Sequence, residues 1–173
     1  MVSTYAKRCA NWQTGRLPFT LAFIINDIMK TLLAASLIFL SIGLYSQECS
    51  KCDIEILKEV SQSMDELAYD VVLRFACSFD SSCKNNAEFA EWSNDLLFQI
   101  MDKDINLLNK ALHDLGFDKV LVICEEIAHP LKDYNYVDLY SKVKNSDAPK
   151  DMIDEQTRAL EKAAEKDGIV LKK

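Results

Sequence analysis

From residue 50 onward the apolar residues of this chain recur every three or four positions, the spacing of one helical face rather than the alternation of a strand. Ile54, Leu57, Met64, Leu67, Ala68, Val71, Val72 and Phe75 predict a first helix from about Asp53 to Phe75. Ser50 and Asp53 stand as a capping pair at its start, and polar residues around Ser61 weaken its middle. The loop Cys77–Cys83 ends it. A second helix starts at Asn85, with Glu88 as its capping partner, and shows Phe89, Trp92, Leu96, Leu97, Ile100 and Met101 to the core. A third, capped by Asp102 or Asp104, uses Ile105, Leu108, Ala111, Leu112 and Leu115. Gly116 closes it, and Phe117 supplies the apolar contact expected after a left-handed cap.

The fourth helix begins at Asp118, carries Val120, Leu121, Ile123, Cys124, Ile127 and Ala128, and is stopped by Pro130. Proline lacks the N–H that the next turn needs. A fifth, from about Asp133 to Asn145, turns Tyr136, Val137, Leu139, Tyr140 and Val143 inward. Ser146-Asp147-Ala148-Pro149 then signals the start of a sixth, Lys150 to Asp167, with proline in the first turn. That last helix is poor in large apolar residues (Met152, Ile153, Leu160, then alanines), and Asp154 and Arg158 are spaced to pair on its surface.

Of the four glycines in the chain only Gly116 and Gly168 fall after residue 46, joined there by Pro130 and Pro149. A β-rich domain needs more turn residues than this. The expectation is all-α: an irregular bundle of five to six short antiparallel helices, the alternative being an armadillo- or HEAT-like helical stack. Short connections make neighbours antiparallel, and no residue signature recurs at the fixed period a repeat array requires.

The segment before residue 47 has a different pattern. Met29-Lys30 is a short basic start, Leu32 to Leu44 an uncharged apolar run, and Tyr45-Ser46-Gln47 a polar exit with a small residue at Ser46. A run of that length suits a secretory signal peptide, residues 29–46, and is shorter than the ~20 apolar residues that span a bilayer. Residues 1–28 are read as an upstream extension or a long basic n-region, and 47–173 as one helical domain. An uncleaved anchor running through Leu32–Leu44 is the rival, interrupted by Asp27 and Lys30. The expected location is therefore periplasmic or extracellular, with no stable membrane association after cleavage.

Charge narrows the partners. The chain has 20 Lys+Arg and 27 Asp+Glu; setting aside Lys7, Arg8, Arg16, Lys30 and Asp27 leaves 16 against 26, a net of −10 beyond the leader. Nucleic acid and anionic lipid surfaces are disfavoured, and a basic protein partner is suited.

After the leader come Cys49, Cys52, Cys77, Cys83 and Cys124, an odd number, so at most two bridges form and one thiol is left over. Cys77 and Cys83 flank the loop between the first two helices and form the expected bridge. Cys124, on the core side of helix 4, is within the reach of Cys49 or Cys52. The remaining thiol would be the most reactive one. Cys49-Ser-Lys-Cys52 has redox spacing at a helix start, where the dipole favours a thiolate, but the βαβ context of thioredoxin-like proteins is missing. Glu126-x-x-His129 has di-iron spacing without the second Glu-x-x-His such a site needs, because Lys110 stands three residues before His113. A cation is favoured at the end of helix 4, which accounts for His129 more simply. A zinc site from Cys49, Cys52 and a histidine lacks a spacing signature. No cofactor and no catalytic residue is expected.

Glu88, Glu91 and Asp95 cluster on the solvent side of helix 2, near a core Trp92. Asp133-Tyr-Asn-Tyr-Val-Asp-Leu-Tyr140 mixes tyrosines with acids; with Tyr136 and Tyr140 packed inward, Tyr134 is left as the binding anchor, flanked by Asp133 and Asp138. The functional expectation is an acidic protein–protein interaction module, one concrete form being an immunity-type inhibitor of a basic toxin. The alternatives are a redox or metal-binding protein built on Cys49-x-x-Cys52 and a structural envelope protein with no dedicated ligand.

Overall fold

The computed structural model describes residues 49–171; the extension and the signal segment expected at 1–28 and 29–46 lie outside the described residues. Six α-helices follow one another: α1 Ile54–Gln62, α2 Tyr69–Ser78, α3 Ala87–Leu115, α4 Phe117–Ile127, α5 Tyr136–Lys144 and α6 Lys150–Lys166. Single 3₁₀ turns, Met64–Glu66 and Ser81–Asn85, join α1 to α2 and α2 to α3. No strand occurs among the described residues, and no helix among them is long and apolar enough to cross a membrane. The long α3 packs on α1, α2, α4 and α5, while α6 closes over α4 and α5. One helix shared by four others makes a bundle around a common core, not a stepwise stack.

The expected first helix is two. Its apolar spacing continues past Ser61, but Ser63 folds its hydroxyl onto the Glu59 carbonyl at 2.8 Å and takes the C-cap of α1. A side chain that satisfies a terminal carbonyl gives the backbone a reason to leave the helix. The bidentate Arg74–Glu59 pair then ties α2 back to α1, with N–O distances of 2.7 and 2.5 Å. Conversely, the second and third expected helices run on as α3. Asp104 is the one residue inside it with extended backbone, φ −153°, and its carboxylate accepts from the Leu107 N–H at 2.9 Å. It is the expected cap, placed at a kink instead of a gap. The cap at the start of α3 is Asn86, whose side chain accepts from Phe89 N–H, and Asn85 belongs to the preceding turn.

Gly116, at φ +93°, is the whole connection between α3 and α4, its N–H donating to the Leu112 and His113 carbonyls. Phe117 beyond it is 44% exposed rather than packed against the cap, as is Leu121 one turn on. Trp92 is only half-buried against the core, and Val137 on α5 is 62% exposed. On α6 the expected Asp154–Arg158 pair is replaced by two others, Lys150–Asp154 and Glu155–Arg158. Asp154 turns to the lysine one turn before it, and Arg158 to the glutamate three residues before it.

Candidate functional site

Two disulfides hold the N-terminal segment: Cys49–Cys77 and Cys52–Cys83. The expected Cys77–Cys83 bridge is thereby overturned. Residues 49–53 fold back along the end of α2, where the Cys52 N–H donates to the Ser78 carbonyl at 2.9 Å. Both loop cysteines are thus paired with sulfurs of α1's leading segment and not with each other. Cys52 takes a left-handed backbone, φ +54°, uncommon for a residue with a Cβ. The Cys49-x-x-Cys52 pair is not closed on itself, since each sulfur is committed to a different partner. The left-over thiol is Cys124, buried on α4, and desolvation pushes it up to about 12. The left-over thiol was expected to be the most reactive, whereas burial penalises the thiolate of Cys124.

Beside the Cys52–Cys83 bridge lies a cavity of ≈ 330 Å³. Its floor is apolar: Phe79, Cys83, Phe89 and Ala90, with the Phe79 and Phe89 rings edge to face at 5.7 Å. Its rim is polar and acidic, made of Asp80, Ser93, Asn94, Glu125, Glu126 and His129, and Leu131 overhangs it at 57% exposure. No lysine or arginine is among these lining residues.

A buried amide and a half-buried lysine fix the elements around the cavity. Asn94, one-hundredth exposed on α3, donates from Nδ2 to the Glu126 and His129 carbonyls at 3.2 and 3.4 Å. Its Oδ1 accepts from the Leu131 N–H at 3.1 Å. One amide therefore holds the end of α4 and the turn after it against α3, meeting the rule that a buried polar group be hydrogen-bonded. On the opposite wall, Lys119 of α4 donates to the carbonyls of Cys77 and Phe79 at 3.0 and 2.6 Å. A cation at a helix C-terminus is well placed, although partial burial lowers its pKa. Asp80 caps the 3₁₀ turn by accepting from Ser82 N–H and pairs with Lys51 at 2.8 Å. Those donors hold its carboxyl well below the usual carboxylate range. His129 Nδ1 lies 2.8 Å from the Glu125 carbonyl oxygen. Only a protonated Nδ1 satisfies that contact, so Nε2 is the acceptor nitrogen of the neutral ring.

Of the six residues expected at an interface, Tyr134 and Asp95 are brought into contact with each other. Tyr134, expected to be free, stacks on Phe98 with centroids 3.9 Å apart and planes 10° from parallel, and its hydroxyl donates to Asp95 at 3.3 Å. Asp95 also pairs with Lys132 at 2.9 Å and accepts from Gln99. Together these contacts fasten the 131–134 segment to α3, a structural task. Asp138 pairs with Lys142 at 2.7 Å. Glu88, Glu91 and Asp133 are exposed. Glu88 and Glu91 bracket Phe89 and Ala90 in sequence, on the cavity floor. Tyr136 and Tyr140 are buried, as expected. His113 lies 3.5 Å from Asp114, and among the described residues no group of three or more His, Cys, Asp or Glu is arranged to hold a metal ion.

The cavity escaped sequence reasoning because its lining comes from three separated stretches. One signal was present: Asn94 follows Ala90 by four and precedes Leu97 by three, a polar residue on a buried stripe. Comparison with family models, curated proteins and solved structures finds no match for this chain.

Proposed function

We propose that this chain is an exported interaction domain that binds a basic protein partner. The observation that carries the reading is its charge imbalance: residues 49–171 hold 25 Asp+Glu (27 less Asp27 and Glu48) against 14 Lys+Arg (20 less Lys7, Arg8, Arg16, Lys30, Lys172 and Lys173), a net of −11. Such a field steers and selects cationic surfaces. Two disulfides suit an oxidising compartment and support export after Ser46. The pairing leaves Cys49-x-x-Cys52 without a dithiol to cycle, which weighs against the redox alternative.

The test is expression of the tagged full chain in its own host, followed by intact-mass analysis and crosslinked purification. The expected outcome is a product starting at Gln47, in a one-to-one protein complex that dissociates as salt rises. A product retaining Leu32–Leu44 in membranes rejects the export reading. A chain that stays monomeric at every salt concentration, in the presence of its host's exported proteins, rejects the interaction reading.

A further inference from the structure

Resting on that reading, we infer that the cavity beside the Cys52–Cys83 bridge is the docking point, and that it takes an aliphatic side chain of the partner with a lysine or arginine next to it. The floor of Phe79, Phe89 and Ala90 offers apolar surface recessed below the rim, where an inserted aliphatic group is removed from water. Phe79 and Phe89 are themselves almost fully buried, so the floor is a packed and preformed surface. Its two walls are held by the Asn94 and Lys119 hydrogen bonds, so the receiving shape costs little to organise.

Specificity for a cation follows from the rim. Asp80, Glu125 and Glu126 are acidic, and no lysine or arginine is among the described residues that line the site. Lys51 offsets Asp80, and Glu125 lies 3.5 Å from His129 Nδ1, so the acids are positioned groups rather than loose ones. A cation beside the apolar insert would be attracted by that rim, and an acidic neighbour would be repelled. Leu131, exposed at the lip, adds apolar contact for the stem of the cation. The other apolar groove, ≈ 540 Å³ between Val137, Tyr140 and Val170, has Lys144 on its wall and no acidic lining, and so serves as an internal control.

The experiment is an NMR titration of the uniformly ¹⁵N-labelled full chain with two capped twelve-residue peptides, one alternating leucine and lysine, the other leucine and glutamate. The lysine peptide is expected to shift the amides of residues 89–94 and 125–131 saturably and to leave 137–144 unmoved. The glutamate peptide is expected to shift none of them. Ala90→Trp, which fills the floor, is expected to weaken the lysine peptide at least tenfold. Leu131→Ser, an exposed change that spares the core, is expected to weaken it several-fold, and Glu165→Gln on α6 to have no effect. Equal response to both peptides, no response to either, or lysine-peptide binding that survives both Ala90→Trp and Leu131→Ser overturns the inference. Saturable lysine-peptide binding elsewhere on the acidic surface overturns the docking point while leaving the broader reading standing.

Discussion

The two ends of the bundle are held by different chemistry. At the N-terminal end, α1 and α2 are short, broken by a 3₁₀ turn, and fastened by two disulfides and the Arg74–Glu59 fork. At the C-terminal end, α5 and α6 have no covalent tie. A chain of side-chain hydrogen bonds runs there instead: Gln156 Nε2 donates to Asn109 at 2.6 Å, and Asn109 to Ser146 at 3.1 Å. Lys142 bonds Asp102, and Lys166 reaches the Ala128 carbonyl at 2.9 Å. The difference follows from what each segment can bury. α6 is a continuous helix whose alanines allow close approach to its neighbours, and it keeps Leu160, Ala163 and Ala164 fully buried. α1 is only nine residues long and its leading segment has no helix of its own, and there the cross-links restrict the unfolded chain.

Breaking the cross-links gives the largest expected effect. The bridges span 28 and 31 residues, and in the loop-entropy model each contributes roughly 3–4 kcal/mol. Cys52→Ala with Cys83→Ala is expected to lose about that much by denaturant titration. Hydrogen exchange of the same variant should quicken first in α1 and α2. Equal quickening in α5 and α6 would show that the two ends are one cooperative unit.

Next is the shared core. Leu112, fully buried on α3 where both ends meet, should cost about 2–5 kcal/mol when truncated to alanine. Exchange in both ends should accelerate together, and a cost near zero would contradict its place in the core.

The polar chain at the C-terminal end is expected to be worth less. Asn109→Ala deprives Gln156, wholly buried, of its acceptor, and leaving a buried amide unpaired costs roughly 1–3 kcal/mol. Gln156→Leu should be milder than Asn109→Ala if desolvation of the orphaned amide is the cause. The reverse order would place the cost in lost shape.

The smallest effect separates the ends by pH. Glu59 is held low by the Arg74 bond and Asp80 by Lys51 and Ser82, all at the N-terminal end. Their folded pKa values lie below the unfolded ones. The stability they contribute is thus full above the ordinary carboxylate range and is lost as pH falls from that range down through the lower folded values. Unfolding followed from pH 6 to pH 3 should show a fall that Asp80→Asn reduces slightly.

What could be read from the chain, and what could not, divides along sequence distance. Gly116 and Asp104 act where they stand, and were legible because a cap is a contact over three or four residues. At the first helix Asp53 alone is the cap, accepting from the Glu55 N–H, in place of the expected pair with Ser50. The split of α1 from α2 was hidden because Met64, Leu67 and Ala68 keep helical phase across the break. Pairing Cys49 with Cys77 required knowing that residues 49–53 return along α2, a contact across 28 residues that local spacing does not encode. Tyr134 illustrates the same limit in the candidate site: the residues that engage it, Phe98 and Asp95, lie 36 and 39 positions away. Its neighbourhood in sequence suggested exposure, and its neighbourhood in space is a stacked ring and a carboxylate.

Cys124 has a consequence for the two bridges. Exchange among sulfurs begins with a thiolate. Burial on α4 pushes the Cys124 thiol up to about 12, which withholds the thiolate that would attack Cys49–Cys77 or Cys52–Cys83. The core that encloses the odd cysteine thereby keeps it from scrambling its neighbours' pairing.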